Sequence, residues 1–140
     1  MSPLFDKYRN KPIKYLRVVY HETAHPFKLE RIGIPQDAAT MWDTNLDFEA
    51  TLEFLASGEY IFTSSYYGMY WGTLLNRKVI VQGDHSSSFK YFKWPAVKST
   101  RDVVQDLWNG VAYEHALEEA REATMSFWED VKKVLIQGLQ

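Results

Sequence analysis

The segment between Glu59 and Gln82 constrains the fold of this 140-residue chain more than any other part of the sequence. It comprises EYIFTSS, then YYGMYWGTLLN, which is apolar on nearly every side, and then KVIVQ. Continuous apolar strands are typical of parallel sheets that are covered on both faces, and two such strands joined by a helix form a compact βαβ unit. The sequence therefore predicts an α/β fold, in which a small, mostly parallel sheet carries helices on both faces.

The rest of the chain is expected to complete one domain over residues 1–140, because a chain of this length supports a single hydrophobic core. Residues 1–43 contain several prolines, and they are predicted to be irregular apart from one strand over 13–20, which is rich in β-branched and aromatic residues. Residues 44–140 are predicted to hold the βαβ core followed by C-terminal helices.

Capping signals and apolar periodicity predict three further helices. A capping box that begins at Thr44 predicts a helix as far as Ser57, and a second box at Ser99 predicts a helix as far as Trp108. Apolar residues at three- and four-residue spacing predict a long final helix over 113–137. We expect the apolar stripe of this last helix to pack on the chain's own sheet.

Composition excludes several classes of protein. The chain has no cysteine, which excludes disulfide frameworks, thiolate zinc sites and thiol nucleophiles. Its net charge of −2 argues against a general nucleic-acid binder. No apolar run approaches the roughly 20 residues that span a bilayer, and the N-terminal MSPLFDKYRNK has no apolar signal sequence. We therefore expect a cytoplasmic protein with no nucleic-acid partner, no membrane span and no cofactor.

The first candidate binding site follows the first strand of the βαβ unit and consists of Thr63, Ser64, Ser65, Tyr67 and Gly68. A helix N-terminus presents free backbone N–H groups and favours negative charge. Ligands of open α/β sheets bind outside the carboxyl ends of the strands, where this turn is expected. The pattern predicts a phosphate-binding turn, and the alternative is that one of the serines only caps the helix.

A second candidate site follows the next strand of the same unit, at Ser86, Ser87, Ser88 and Lys90. Because the carboxyl ends of parallel strands share one edge of a sheet, this loop is expected to open beside the first site. The serines would add hydrogen-bond donors, and Lys90 would supply a counter-charge for an anion. The alternative is an ordinary surface loop.

A third pattern, His21-Glu22-Thr23-Ala24-His25, matches H-E-x-x-H. A zinc hydrolase needs His21 and His25 on one face of a helix. The preceding LRVVY is strand-like, and Pro26 disfavours helical geometry at His25. The two histidines are kept as weak metal candidates, and a zinc hydrolase is the least favoured function.

Three stretches of the sequence carry a family resemblance: TSSYYG at 63–68, YWGTLLNRK at 70–78 and SSSFK at 86–90. With them, the segment 54–98 resembles the C-terminal half of GT-B-type glycosyltransferases and is most similar to the polysaccharide pyruvyl transferase-like group. The resemblance implies a single Rossmann-like half-domain that binds the diphosphate and sugar parts of an activated donor, a nucleotide sugar or nucleoside diphosphate. Its phosphate-binding residues would be those of the two candidate sites.

Two positions depart from the pattern of that family: Tyr67 stands where the family usually has histidine, and Asn76 where glycine is common. A tyrosine cannot carry a positive charge near pH 7, and no catalytic residue is assigned. One GT-B half has no closed cleft, so the resemblance implies an enzyme that is incomplete without a partner chain or a second copy. The alternative is a degenerate, non-catalytic relative that acts as a binding or structural subunit.

Overall fold

The computed structural model describes residues 2–44, 47–83 and 92–138. The elements within these ranges are, in order, α1 (Leu4–Arg9), β1 (Tyr15–His21), a 3-10 helix (Leu29–Ile32), β2 (Thr40–Trp42), α2 (Phe48–Ala56), β3 (Gly58–Thr63), α3 (Tyr66–Leu74), β4 (Lys78–Val81), β5 (Val97–Lys98), α4 (Val103–Asn109) and α5 (Ala116–Gly138).

The five strands form one sheet in the order β2-β1-β3-β4-β5, and every neighbouring pair is parallel. The predicted α/β class and parallel sheet are confirmed. The chain passes from β1 to β2 on one side, and then returns across β1 to place β3 on the other. The strand order therefore reverses between β1 and β3, and in such sheets the crevice outside the carboxyl ends at this reversal is the usual ligand site.

Two apolar layers cover the sheet, because successive strand residues point to opposite faces. Val18 of β1 and Ile61 of β3 face a core built with α1, α2, α3 and α5. Val19 and Phe62 face the opposite side, where the 3-10 helix and α4 pack. Helices on both faces and a long C-terminal helix were predicted from the sequence, and the structure confirms both.

The N-terminal part differs from the prediction, since residues 1–43 hold α1 and β2 as well as the predicted strand. Pro3 is the residue immediately before α1, and its fixed backbone angle favours the start of a helix there. Phe5 and Tyr8, one turn apart, are both buried in the core beside α2. α1 is too short to be stable alone, so this tertiary burial decides its formation.

In both capping boxes the cap is the last residue rather than the first, so each helix begins three residues later than predicted. Asp47, not Thr44, caps α2, and Asp102, not Ser99, caps α4; each accepts a backbone N–H of the first turn at 3.1 Å. Aspartate is as good an N-cap as serine. Ser99 instead donates to the buried carboxylate of Asp106 at 2.9 Å.

Arg77 lies at the amino edge of the sheet, the side on which the strands begin. Its buried guanidinium donates five hydrogen bonds to backbone carbonyls, two to Ala56 (3.0 and 2.8 Å) and one each to Leu75, Arg9 and Lys11 (2.9, 3.3 and 3.4 Å). Burial lowers the pKa of Arg77. One side chain thus ties together the C-terminal ends of α2 and α3 and the segment before β1.

The turn that ends α3 requires one residue in the left-handed backbone conformation, and Asn76 adopts it with a φ of 62°. The backbone N–H of Arg77 donates to Gly72 and that of Asn76 to Thr73, both at 3.0 Å, which is the Schellman pattern. Asparagine tolerates this conformation better than most residues other than glycine. The departure from glycine noted at this position therefore leaves the turn intact.

The final helix leaves the core halfway along its length. Ala116, Leu117 and Ala120 are buried, but the apolar residues beyond Thr124 are largely exposed. The prediction that the whole stripe packs on the chain's own sheet is therefore wrong for residues 125–138, where every residue except the half-buried Val131 is exposed.

Candidate functional site

A cleft of about 420 Å³ opens between α2 and α3, at the carboxyl ends of β1 and β3. We call it the switch-point cleft because it lies where the strand order reverses. Its lining residues are Tyr20, Glu22, Asp43, Phe48, Thr51, Ser65, Tyr66, Tyr67 and Trp71. The cleft therefore occupies the place at which this class of sheet binds ligands.

The turn at residues 63–65 is built from its own hydroxyl groups. Thr63 Oγ1 accepts from the backbone N–H of Ser65 at 2.9 Å, and Ser65 Oγ accepts from that of Gly68 at 3.3 Å. Ser64 Oγ accepts from the N–H of Glu22 at 2.9 Å and so joins the ends of β1 and β3. All three hydroxyl-bearing residues are buried, and Ser65 is the N-cap of α3, as the alternative interpretation predicted. Their contact with a phosphate stays a prediction.

Gly68 has a packing role between α3 and the sheet. A Cβ atom at this position would lie 2.6 Å from Thr63 Oγ1 and 2.7 Å from Tyr20 Cδ1. Glycine is needed here because the first turn of α3 lies directly against β1 and β3. Gly68 therefore allows the close packing of α3 against the sheet.

An aromatic wall forms one side of the cleft. The ring of Tyr67 is 60% exposed and lies 5.2 Å from that of Trp71, tilted by 34°. Trp71 in turn meets Phe48 of α2 edge-on at 5.0 Å. Tyr67, a predicted site residue, thus presents its ring at the mouth of the cleft rather than in the core.

The polar groups of the cleft are acidic, and sequence analysis did not assign them to this site. The Glu22 side chain has no hydrogen-bond or ion-pair partner within the described ranges, whereas Asp43 accepts from the backbone N–H of Thr23 at 3.0 Å. Burial, and secondarily the charge of Asp43, raises the pKa of Tyr20. No lysine or arginine is among the lining residues that the structure describes. The one sequence signal was the position of Glu22 at a predicted strand end.

The H-E-x-x-H segment forms a strand end and a turn, not a helix. His21 is the last residue of β1, and the N–H of His25 donates to the carbonyl of Glu22 at 3.0 Å. The ring of His21 is buried against Trp42 (4.4 Å) and Phe27 (4.5 Å), and this burial lowers its pKa. The two histidines therefore do not share the helix face that a zinc hydrolase requires. Across the described ranges, no group of three or more potential ligand side chains could hold a metal.

The second predicted site lies outside the described residues: Ser86, Ser87, Ser88 and Lys90. The residues that flank this segment are close to the start of α3. The N–H of Gln82 donates to the carbonyl of Thr63 at 2.8 Å, and the ring of Phe92 lies 6.1 Å from that of Tyr66. Gln82 Nε2 is buried and has no hydrogen-bond partner among the residues that the structure describes.

Among the helices that the structure describes, none combines the length and the apolar character needed to cross a bilayer. Comparison with known proteins gives no relative: no protein-family model, no curated protein and no solved structure matches this chain.

Proposed function

We propose that this chain is a glycosyltransferase-like domain that binds an activated sugar donor, a nucleotide sugar, in the switch-point cleft, and that it is incomplete as an enzyme by itself. The observation that carries the proposal is the place of the cleft, at the reversal of strand order in a doubly wound parallel sheet. The class of ligand comes from the resemblance of residues 54–98 to GT-B C-terminal halves.

The lining of the cleft suits the sugar part of such a donor. Tyr67 and Trp71 offer ring faces on which the apolar side of a sugar can stack. The unpartnered carboxylate of Glu22 only accepts hydrogen bonds when ionised, so it complements sugar hydroxyl donors. A few placed polar groups in an aromatic cleft are typical of small-ligand sites.

The diphosphate part would lie against the N-terminus of α3. Ser65 already accepts from the N–H of Gly68, so the backbone N–H of Tyr67 is a first-turn donor that the cap does not use. The cleft lining as described holds no cation, so the counter-charge has to come from elsewhere. Lys90, outside the described residues, is the candidate that sequence analysis supplies.

A second candidate function is that of a non-catalytic binding or structural subunit. Tyr67 stands at the position of the family histidine, and no histidine is among the cleft residues described. The exposed apolar half of α5 specifically favours a role in assembly.

Thermal denaturation in the presence of ligands tests the proposal. Millimolar nucleotide sugars should raise the melting temperature by mass action, the free sugar and the nucleoside diphosphate each less than the intact donor. Glu22→Gln and Trp71→Leu should reduce this shift, whereas Glu122→Gln, an exposed change on α5, should not. If no donor in a panel of different bases and sugars shifts the melting temperature, the subunit function replaces the ligand-binding one.

A further inference from the structure

The second half of α5, residues 125–138, forms what we call the α5 tail. The first half is held by Leu117 in the core and by the ion pair of Arg121 with Asp6 at 2.7 Å. In the tail, every residue except the half-buried Val131 is exposed. Its six large apolar side chains are 57–67% exposed: Met125, Phe127, Trp128, Val134, Leu135 and Ile136. Isolated helical segments of this length are marginal in water, so such a tail needs a partner surface.

The apolar residues of the tail are arranged symmetrically about Val131. Phe127 and Leu135 lie four residues on either side, and Trp128 and Val134 three residues on either side. At about 100° per residue, all four fall within about 60° of Val131 around the helix axis. Such a pattern matches itself when the helix is reversed, which is the condition for an isologous contact.

We propose that the α5 tail pairs with the tail of a second copy of this chain, antiparallel and crossing at Val131. In this arrangement Phe127 of one copy packs beside Val134 of the other, and Trp128 packs beside Leu135. Each aromatic side chain meets an aliphatic one, and the apolar arcs of both tails are covered. A parallel pair would instead set each residue against its own copy, with Trp128 against Trp128.

The helix dipoles favour the same orientation, because an antiparallel pair opposes them. The charged residues of the tail do not add to this choice, since Glu129 and Lys133 lie about 160° from Val131 around the helix, and Asp130 and Lys132 flank the apolar arc at about 100° on either side.

The size of the contact sets the expected affinity. Phe, Trp, Val and Leu side chains with more than half of their surface exposed would bury, over two tails, on the order of 1,000 Å² in total. This is near the lower limit for a specific interface, so we expect a reversible dimer with a dissociation constant in the micromolar range.

Sedimentation velocity over a concentration series of the full chain tests the proposal. The wild type should shift from monomer to dimer, and Val131→Glu should remain monomeric at every concentration. The control is Ile136→Glu, an exposed apolar position about 140° from Val131 on the helix, which should dimerise like the wild type. Circular dichroism at a concentration below the dissociation constant should show that both variants keep a folded core, since Ile136 is exposed and Val131 is only half-buried.

Orientation is tested with one spin label, because the chain has no cysteine of its own. A label on Glu122→Cys should give an inter-spin distance of about 35 Å in the antiparallel dimer and about 20 Å in a parallel one, from a 1.5 Å rise per residue and usual helix spacing. A chain that stays monomeric, a dimer that survives Val131→Glu, or the shorter distance would each overturn the proposal.

Discussion

The polar groups at the amino ends of the strands (the amino edge) and at their carboxyl ends (the carboxyl edge) differ in how fully they are hydrogen-bonded. At the amino edge, all five hydrogen bonds of Arg77 go to backbone carbonyls, and the end of α3 is closed by a Schellman turn. At the carboxyl edge, Glu22 has no partner in the described chain, and His21 Nδ1 and Gln82 Nε2 are buried without a hydrogen bond. Among the described residues, the amino edge has one such atom, Oδ1 of Asn76.

Buried polar atoms are nearly always satisfied in native proteins, so the unpartnered ones need an explanation. On the function proposed above, the polar groups of the amino edge hold the fold, whereas Glu22 at the carboxyl edge is open to a ligand. The amino edge is expected to be sensitive to mutation in stability, and the carboxyl edge in ligand binding. The predictions below test this division.

The largest effect is expected at the amino edge, from Arg77→Met. This change leaves four backbone carbonyls without their shared donor, two of them in buried hydrogen bonds (Ala56 and Leu75), and should lower the free energy of unfolding by about 3 kcal/mol or more. Urea denaturation measures it. Arg121→Met, which removes a partly exposed ion pair with Asp6, is the matched control and should cost about 1 kcal/mol or less. Equal losses in the two variants would contradict the proposed role of Arg77.

A smaller loss is expected at the carboxyl edge from Gly68→Ala. The added methyl group would lie within 2.7 Å of Thr63 and Tyr20, and the helix has to move away from the sheet. Overpacking of this kind costs about 1–3 kcal/mol, measured as a loss of unfolding free energy. Gly138→Ala is the control, since a Cβ there meets nothing within 4 Å. A Gly68→Ala variant as stable as the wild type would show that the packing is looser than described.

Ser65→Ala distinguishes a cap from a ligand contact at the same edge. Loss of the N-cap should cost about 1 kcal/mol, and Ser65→Asp should restore most of it. If the hydroxyl serves only the cap, the ligand-induced rise in melting temperature should be the same in Ser65→Ala and in the wild type. A rise that disappears in Ser65→Ala would return the hydroxyl to the binding site.

Asn76→Gly should raise stability slightly, because glycine adopts a φ of 62° at no steric cost and removes the unpartnered Oδ1. We expect a gain of about 0.5 kcal/mol in thermal or urea unfolding. Asn76→Ala, which keeps the strain of a side chain in the left-handed region, should instead destabilise the protein. A loss with glycine would mean that the amide makes a contact of its own.

The pH dependence of stability is the finest test of the carboxyl edge. Burial lowers the pKa of His21 in the folded protein, so below the unfolded value of about 6.5 the unfolded chain binds more protons at this site. Stability should therefore fall as the pH decreases from 7 to 5, and the loss is complete once the pH is below the folded pKa. His21→Phe should flatten this part of the curve, and the exposed His115→Gln should not.

Sequence analysis located the βαβ unit within two residues of the observed elements. The strand predicted from Glu59 begins at Gly58, the helix begins at Tyr66, and the next strand begins at Lys78. This accuracy has a local cause, because an apolar run and its period are contained in neighbouring residues. Local signals failed at the starts of two helices. Asp47 and Asp102 could each be the acidic end of a capping box or the cap itself, and in the structure they cap their helices directly.

Local sequence signals could not predict which residues line the cleft. Glu22, Asp43 and Trp71 come from three separate segments, and only the order of the strands brings them together. Ser64, Ser65 and Gly68 lie at the predicted edge, but the two hydroxyl groups hold the turn, and the absence of a side chain at Gly68 allows α3 to pack on the sheet.

The sequence by itself determined that this chain forms parallel strands with a buried helix between them, since apolar continuity leaves few other ways to remove that surface from water. The tertiary structure alone decided that α1 is a helix, that an aromatic and acidic cleft lies between α2 and α3, and that the second half of α5 has no cover. Burial depends on what lies beside a residue in space, and the periodicity of a helix is the same whether its apolar face meets its own sheet or another molecule.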